Sequence, residues 1–152
     1  MYNRWVYLSL GSNVGNRRRN INWAVVYLSK RVNVISKSSI IETEAWGYKK
    51  QKKFLNCALK VDCKLKPFEL LKFCKNIERK LRRVKKFKWG PRTVDVDIVA
   101  FKNIILKRKR LWLPHRHAHQ RLFVIEPLME LDAKLKFEGF TLEEHKSRLE
   151  GR

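Results

Sequence analysis

The segment 89–101, WGPRTVDVDIVAF, constrains the fold of this chain more than any other stretch. A Gly-Pro turn signal opens it, and apolar residues then occupy every second position, which predicts a buried β-strand that begins where the chain stops turning. Successive side chains of a strand point to opposite faces, so Val94, Val96 and Ile98 share one face, and Asp95 and Asp97 share the other.

The two aspartates of this strand are candidate metal ligands. Carboxylates two positions apart project side by side, with Cα atoms roughly 7 Å apart, so oxygen atoms from both can meet at one hard cation. The alternative is that they pair with lysine or arginine side chains, because a buried unpaired carboxylate is destabilising. Arg92 and Trp89 favour a site, since a guanidinium suits phosphate oxygens and an indole offers a flat wall to a nucleobase.

Composition limits the class of protein. The 152 residues suffice for one domain with its own core, and 44% of them are apolar, which argues against disorder. Thirty-six lysines and arginines against 14 acids give a formal charge of +22, which attracts polyanions such as nucleotides, nucleic acids or anionic membranes. Three cysteines without metal-ligand spacing, and no signal-peptide pattern or long apolar stretch, predict a reduced, soluble, cytoplasmic protein.

Hydrophobic periodicity predicts strands and helices in the order βαββαββ, followed by short helical pieces. Asn16 is expected to cap the first helix, and residues 42–53 are expected to form an exposed loop. This order favours a layered sheet with helices on its faces. The predicted elements are strand 5–10, helix 16–31, strands 33–41 and 54–63, helix 67–82, the aspartate strand and a return strand at 104–106.

The segment from Trp89 to Ile98 resembles the signature of the 6-hydroxymethyl-7,8-dihydropterin pyrophosphokinase family, whose members move pyrophosphate from ATP to a pterin alcohol in folate biosynthesis. Residues 8–15, LSLGSNVG, resemble the opening of the same family, and matches continue in order from Tyr7 to about Leu131. The resemblance implies an α+β protein, a ferredoxin-like α/β sandwich with a mostly antiparallel sheet, as one pyrophosphokinase domain over residues 1–152. It also implies ATP as co-substrate, two Mg²⁺ ions and a monomer, with no membrane partner and, despite the basic charge, no nucleic-acid partner expected.

The resemblance also implies roles for individual residues. Metal binding falls to Asp95 and Asp97, and catalysis to Arg83 and Arg92. The pterin would be bound by Thr43, Trp46, Phe54, Asn56 and Phe123. The nucleotide would be bound by Leu71, Glu78, Lys85, Trp89, Ile98, Arg110, His115 and Arg121. The chain departs from the family pattern at Phe54, where many relatives carry tyrosine, and at Arg82, Lys85 and Trp112.

Two other interpretations stay open. His115, His117 and His119 alternate and would share one face of a strand, which suggests a zinc or nickel site, although Pro114 and the polar neighbours favour a loop. A ferredoxin-like sheet with exposed aromatic residues and a +22 charge also suits an RNA-binding module. Carboxylates in the groove would repel a phosphate backbone, so the aspartate pair favours the enzyme.

Overall fold

The computed structural model describes residues 3–45, 50–81 and 93–151. In those ranges the elements are β1 (Val6–Ser12), α1 (Arg17–Leu28), β2 (Asn33–Lys37), β3 (Ile41–Thr43), β4 (Phe54–Asp62), α2 (Pro67–Lys80), β5 (Asp95–Phe101), β6 (Leu106–Lys107), β7 (Trp112–Leu113), a 3₁₀ turn (Ala118–Gln120), α3 (Leu122–Leu131), β8 (Lys136–Phe137), β9 (Phe140–Thr141) and α4 (Leu142–Leu149).

The main sheet has the strand order β2-β4-β1-β5, with β3 also paired to β4. Each of these pairings is antiparallel. The order β1-α1-β2-β4-α2-β5 along the chain, with β1 and β4 in the centre, is the split βαβ arrangement of ferredoxin-like folds. The predicted ferredoxin-like fold with a mostly antiparallel sheet is therefore confirmed.

The two faces of the sheet carry different layers. Helices α1 and α2 pack on one face against alternate residues of β1, β4 and β5, among them Leu8, Leu59 and Val96. Helix α3 packs on the other face, against Tyr7, Ala58 and Val99 among others. The predicted alternation of the aspartate strand is confirmed, because Val96 is 1% exposed in the helix-side core while both aspartates lie half-buried on the α3 side.

The first helix begins as predicted. The Asn16 side chain accepts a hydrogen bond from the backbone N–H of Arg19. It thereby provides an acceptor for one of the first N–H groups, which have no partner within the helix. Helix α2 has proline at its first position, and the Glu69 carboxylate accepts from the backbone N–H of Lys66.

The single strand predicted over 33–41 is wrong, because it is two strands separated by serines. The backbone N–H of Ala58 donates to the Ser38 hydroxyl at 2.8 Å, and both the N–H and the hydroxyl of Ser39 donate to Glu130. Serine side chains thereby replace backbone partners and interrupt the ladder. Residues 42–43, predicted in a loop, extend β3.

The predicted return strand at 104–106 is also displaced. Ile104 closes a turn by donating its N–H to the Phe101 carbonyl, and Ile105 is 77% exposed. The strand that forms, β6, pairs with β7 rather than with β5. No helix in the part of the chain that the structure describes is long and apolar enough to cross a membrane.

Candidate active site

A row of three residues runs across the α3 side of the sheet, where β3, β4, β1 and β5 meet. Asn56 of β4 is paired with Gly11 of β1, and Gly11 is paired with Asp95 of β5. Directly paired residues of antiparallel strands share a face. Two strand spacings separate the amide from the carboxylate, about 10 Å, and the residue between them has no side chain.

Close packing explains the glycine in this row. A Cβ atom built on Gly11 would lie 2.8 Å from Oδ1 of Asn56 and 3.4 Å from Cδ1 of Phe54. Any larger residue would displace the amide or the ring. Gly11 therefore leaves a shallow floor between Asn56 and Asp95.

The amide and the aromatic ring form the β4 end of the site. Asn56 is 3% exposed, and its Nδ2 donates to the Thr43 hydroxyl at 2.6 Å, which fixes the orientation of the amide. Thr43 is in turn paired with Phe54, which is half-buried. Three of the predicted pterin-binding residues are thus brought together.

The next row across the sheet is Ala58, Ser9 and Asp97. Its first two members are small and buried, and Ala58 packs in the core beneath α3. Among the residues that the structure describes, Asp97 forms no salt bridge.

Two nitrogen groups from the segment before α3 lie near the carboxylates. Arg121 is 7% exposed; burial lowers the pKa of its guanidinium, and the charges of Asp97 and Asp95 oppose that effect. Burial likewise lowers the pKa of His115, and Asp97 again opposes it. A guanidinium stays protonated under these conditions. The site therefore combines two acids with one buried cation and a neutral imidazole.

Backbone contacts set the position and tautomer of His115. Its N–H donates to the Val99 carbonyl at 2.7 Å, which ties residue 115 to the edge of β5. Its Nδ1 accepts from the backbone N–H of His117 at 3.2 Å. Because Nδ1 accepts, the proton of the neutral ring is on Nε2, which is left as a donor.

Phe123 lies in the first turn of α3, next to the buried arginine. Its ring centroid is 5.7 Å from Cζ of Arg121, and it packs partly buried beside the α3 core. The α3 layer thus places an aromatic ring on the same side of the sheet as Asn56 and the aspartates.

The other residues predicted to bind the nucleotide lie in different parts of the structure. Glu78 is 2% exposed, and its Oε2 accepts from the N–H of Val96 at 2.9 Å. Leu71 and Ile98 pack in the helix-side core, and Arg110 is exposed between β6 and β7. The predicted residues Trp46, Arg83, Lys85, Trp89 and Arg92, and the departure at Arg82, lie outside the described residues.

The metal hypothesis needs the three alternating histidines to lie on one strand. The structure does not place them on a strand. His115 and His117 lie in a turn with ring centroids 6.2 Å apart, while His119 lies against His145 of α4 at 5.6 Å. Within 3–45, 50–81 and 93–151, no three His, Cys, Asp or Glu side chains converge on a metal position.

Sequence reasoning did not single out the small residues of the floor. In the sequence, Gly11 belongs to the segment 8–15 that resembles the family, and Ser9 belongs to the predicted strand 5–10. The signal that identifies them is that Ser9 and Gly11 of VYLSLGS fall at alternate positions, on the face opposite the leucines.

This arrangement defines a class of protein. A hydrogen-bonding amide and aromatic rings at one end, and paired carboxylates with a buried guanidinium at the other, suit an enzyme that transfers a phosphate-containing group to a flat organic molecule. Such transfer depends mainly on positioning and on charge stabilisation.

Comparison with known proteins identifies the family within that class. The profile of the 7,8-dihydro-6-hydroxymethylpterin-pyrophosphokinase (HPPK) family matches residues 7–133. The 2-amino-4-hydroxy-6-hydroxymethyldihydropteridine pyrophosphokinase of Bacillus subtilis is 39% identical over 143 residues, covering 93% of this chain and 86% of the relative. The enzyme of that name from Aquifex aeolicus is 40% identical over 127 residues, covering 84% and 79%.

Solved structures agree on the fold. An HPPK-DHPS crystal structure matches with a TM-score of 0.74 and 15% identity over 98% of this chain, which spans 44% of that longer chain. The chain belongs to the HPPK family. It is an enzyme that transfers pyrophosphate, at the HPPK step of folate biosynthesis, and enzymes of this family use ATP as co-substrate.

Proposed function

We propose that this chain transfers the terminal pyrophosphate of ATP to the hydroxymethyl oxygen of 6-hydroxymethyl-7,8-dihydropterin, using the residues of the two cross-strand rows. The observation that carries the proposal is the row in which Asn56 and Asp95 flank Gly11. It places a group suited to a heterocycle and a group suited to metal-bound phosphate on one floor, about 10 Å apart.

The β4 end binds the pterin. Its ring is flat and carries amide-like donors and acceptors on one edge, which Asn56 and Thr43 can match, while Phe54 and Phe123 supply aromatic faces. The absence of a side chain at Gly11 lets the ring approach the sheet. Trp46 is proposed to complete this end.

The chemistry of the Asp95 and Asp97 side chains fits Mg²⁺. Mg²⁺ is commonly held by one or two carboxylates together with substrate phosphates and water rather than by a complete protein cage. Two half-buried carboxylates on one face, without a third acid among the described residues, match that donor set. When bound, two Mg²⁺ ions would neutralise phosphate charge and help align the triphosphate.

Cationic and donor groups of the chain stabilise the transferred group. Arg121 holds a buried positive charge near both aspartates, and Nε2 of neutral His115 is a donor to a phosphate oxygen. Arg83 and Arg92 are proposed to stabilise charge during transfer. Contacts to the nucleotide are proposed for Leu71, Glu78, Lys85, Trp89, Ile98 and Arg110.

In the reaction, the hydroxymethyl oxygen forms a bond to the β-phosphorus of ATP, and the bond from that phosphorus to the oxygen bridging to the α-phosphate breaks. AMP leaves with that oxygen, and the hydroxyl proton passes to solvent. A loose transition state makes a strong general base unnecessary, so the work of the protein is alignment and charge stabilisation.

The direct test is to incubate the full chain with ATP, Mg²⁺ and the hydroxymethyl dihydropterin and to separate the products. We expect equal amounts of AMP and pterin diphosphate. The matched control is the 6-methyl dihydropterin, which lacks the attacking oxygen and should release no AMP. Release of ADP, or AMP release that does not depend on the hydroxyl group, would contradict the proposal.

We also propose that the chain acts as a single domain, as a monomer and in the cytoplasm. Its three cysteines are free and buried, as expected of a protein in a reducing compartment. Light scattering should give a mass near 18.3 kDa. A stable dimer at assay concentration would overturn the monomer.

A further inference from the structure

The outer surface of the helical layer combines exposed aromatic rings with cations. We call it the aromatic-basic surface, formed by Trp23, Tyr27, Lys30, Arg31 and Lys80. Trp23 is 48% exposed and stacks on Tyr27 with ring centroids 6.0 Å apart. The surface lies on α1 and α2, on the opposite side of the sheet from the two rows of the active site.

The cations of this surface surround its rings. Nζ of Lys30 lies 5.0 Å from the Tyr27 ring centroid, and Nζ of Lys80 lies 5.3 Å from it on the side of α2. Arg31 lies over Phe73 at 5.5 Å. Lys30, Arg31 and Lys80 have no acidic partner among the described residues.

The charge of α1 is one-sided. Residues 17–31 contain five arginines and lysines and no acid. Cations in the first turn of a helix oppose the helix dipole, so Arg18 and Arg19 do not serve helix stability, whereas Arg17 is paired with Glu42 at 2.8 Å. The net charge of +22 repels a second copy of this chain from such a surface and attracts a polyanion.

We infer that the aromatic-basic surface binds single-stranded nucleic acid, with bases stacking at Trp23 and phosphates near Lys30, Arg31 and Lys80. Charge complementarity selects a polyanion, and an exposed stacked indole selects one that carries flat rings. Trp23 lies in α1 and Arg31 in the turn just after it, so the surface covers only a short segment of strand. This proposal differs from the expectation, implied by the family resemblance, that nucleic acid is not a partner.

The surface is also distinct from the sheet face that ferredoxin-like RNA-binding modules use. In this chain that face is covered by α3 and holds the carboxylates of the active site. Binding on the helical side leaves the reaction face free, so both activities can coexist.

The test is fluorescence anisotropy of a labelled oligo(dT) strand titrated with the full chain, in the presence of ATP and Mg²⁺. Trp23→Ala should weaken binding about tenfold, in line with the loss of one stacked base. A strand of the same length without bases should bind more weakly and should not respond to Trp23→Ala. Turnover in the pyrophosphokinase assay should be unchanged in this variant.

The charge contribution is tested with the double variant Lys30→Glu/Lys80→Glu. The control is the double variant Lys134→Glu/Lys136→Glu, which changes the net charge by the same amount at exposed lysines outside the surface. Between about 50 and 200 mM salt, the first pair should flatten the slope of log affinity against log salt by about 1.4. Any of three results would overturn the proposal: equal effects of the two double variants, displacement of the strand by ATP, or equal binding of strands with and without bases.

Discussion

The carboxylate of Glu78 accepts a hydrogen bond from the backbone N–H of Val96 at 2.9 Å. Val96 lies between the two aspartates on β5, which is an edge strand of the sheet in the part of the chain that the structure describes, and its N–H bonds to a side chain instead of a strand. Glu78 thereby ties α2 to the strand that carries the acids. It holds a backbone group that would otherwise be buried without a partner.

Replacing Glu78 with alanine should therefore lower the free energy of unfolding by about 1–3 kcal/mol, because the Val96 N–H loses its acceptor. Glu78→Gln keeps an acceptor and should lose less. Urea denaturation measures both, with Glu143→Ala, at an exposed position of α4, as a control. Equal destabilisation by glutamine and alanine would show that the charge matters rather than the hydrogen bond.

Asp97→Asn should reduce turnover by at least about 100-fold while the fold is retained, because a neutral amide is a poorer ligand for a hard cation than a carboxylate. Steady-state rates over a range of Mg²⁺ concentrations measure the effect, and circular dichroism checks folding. Asp62→Asn, at the far end of β4, is the matched control. A near-normal rate for Asp97→Asn would remove the metal role.

Gly11→Ala should raise the KM for the pterin about tenfold or more and change the KM for ATP little, because the new methyl group meets Oδ1 of Asn56. A double-mutant cycle with Asn56→Ala tests the cause. If the clash acts through the amide, the two changes will be less than additive. Full additivity would place the effect elsewhere.

His115 should make stability depend on pH. Burial lowers the pKa of the folded imidazole below its ordinary 6.5, so the unfolded chain binds a proton that the folded chain resists. Its contribution is therefore present above about pH 6.5 and is lost as the pH falls, by at most about 1.4 kcal/mol per pH unit.

Unfolding of the metal-free protein at pH 7.5 and 5.5, in wild type and His115→Gln, measures this contribution. The glutamine variant should lose less stability between the two values, and His119→Gln is the comparison. A larger pH dependence in His115→Gln than in wild type would contradict the assignment.

Tyr7→Phe should lower the free energy of unfolding by about 1.5–3 kcal/mol, because the Tyr7 hydroxyl donates to the Asp132 carboxylate at 2.5 Å. Burial and this carboxylate raise the pKa of Tyr7, so the hydroxyl stays protonated in ordinary buffers. Tyr27→Phe, on the outer side of α1, should cost little. Equal effects of the two substitutions would show that the bond to Asp132 contributes nothing.

Local patterns predicted most of the central sheet and both helices that cover it. The alternation around Asp95 and the cap at Asn16 depend on neighbours in the chain, so sequence shows them. The break at Ser38 depends on Glu130, 91 residues from Ser39, and the Glu78 contact depends on how α2 packs against an edge strand. Periodicity carries no information on such distant partners.

The candidate site shows the same difference between local patterns, which the sequence reveals, and distant contacts, which it does not. Residue types suited to metal and to a heterocycle were visible in the sequence, and the family resemblance grouped them. The role of Gly11 was not visible, because the need for a missing side chain arises only when Asn56 and Phe54 are brought against β1 by pairing.

The burial of all three thiols has a practical consequence. Cys57, Cys63 and Cys74 are buried, and burial raises the pKa of Cys57 to about 11 and also raises that of Cys74. Alkylating dyes attack the thiolate, so native cysteines should react slowly. One cysteine introduced on an exposed helix position would give a site for attaching a fluorophore or spin label without first removing the natural ones.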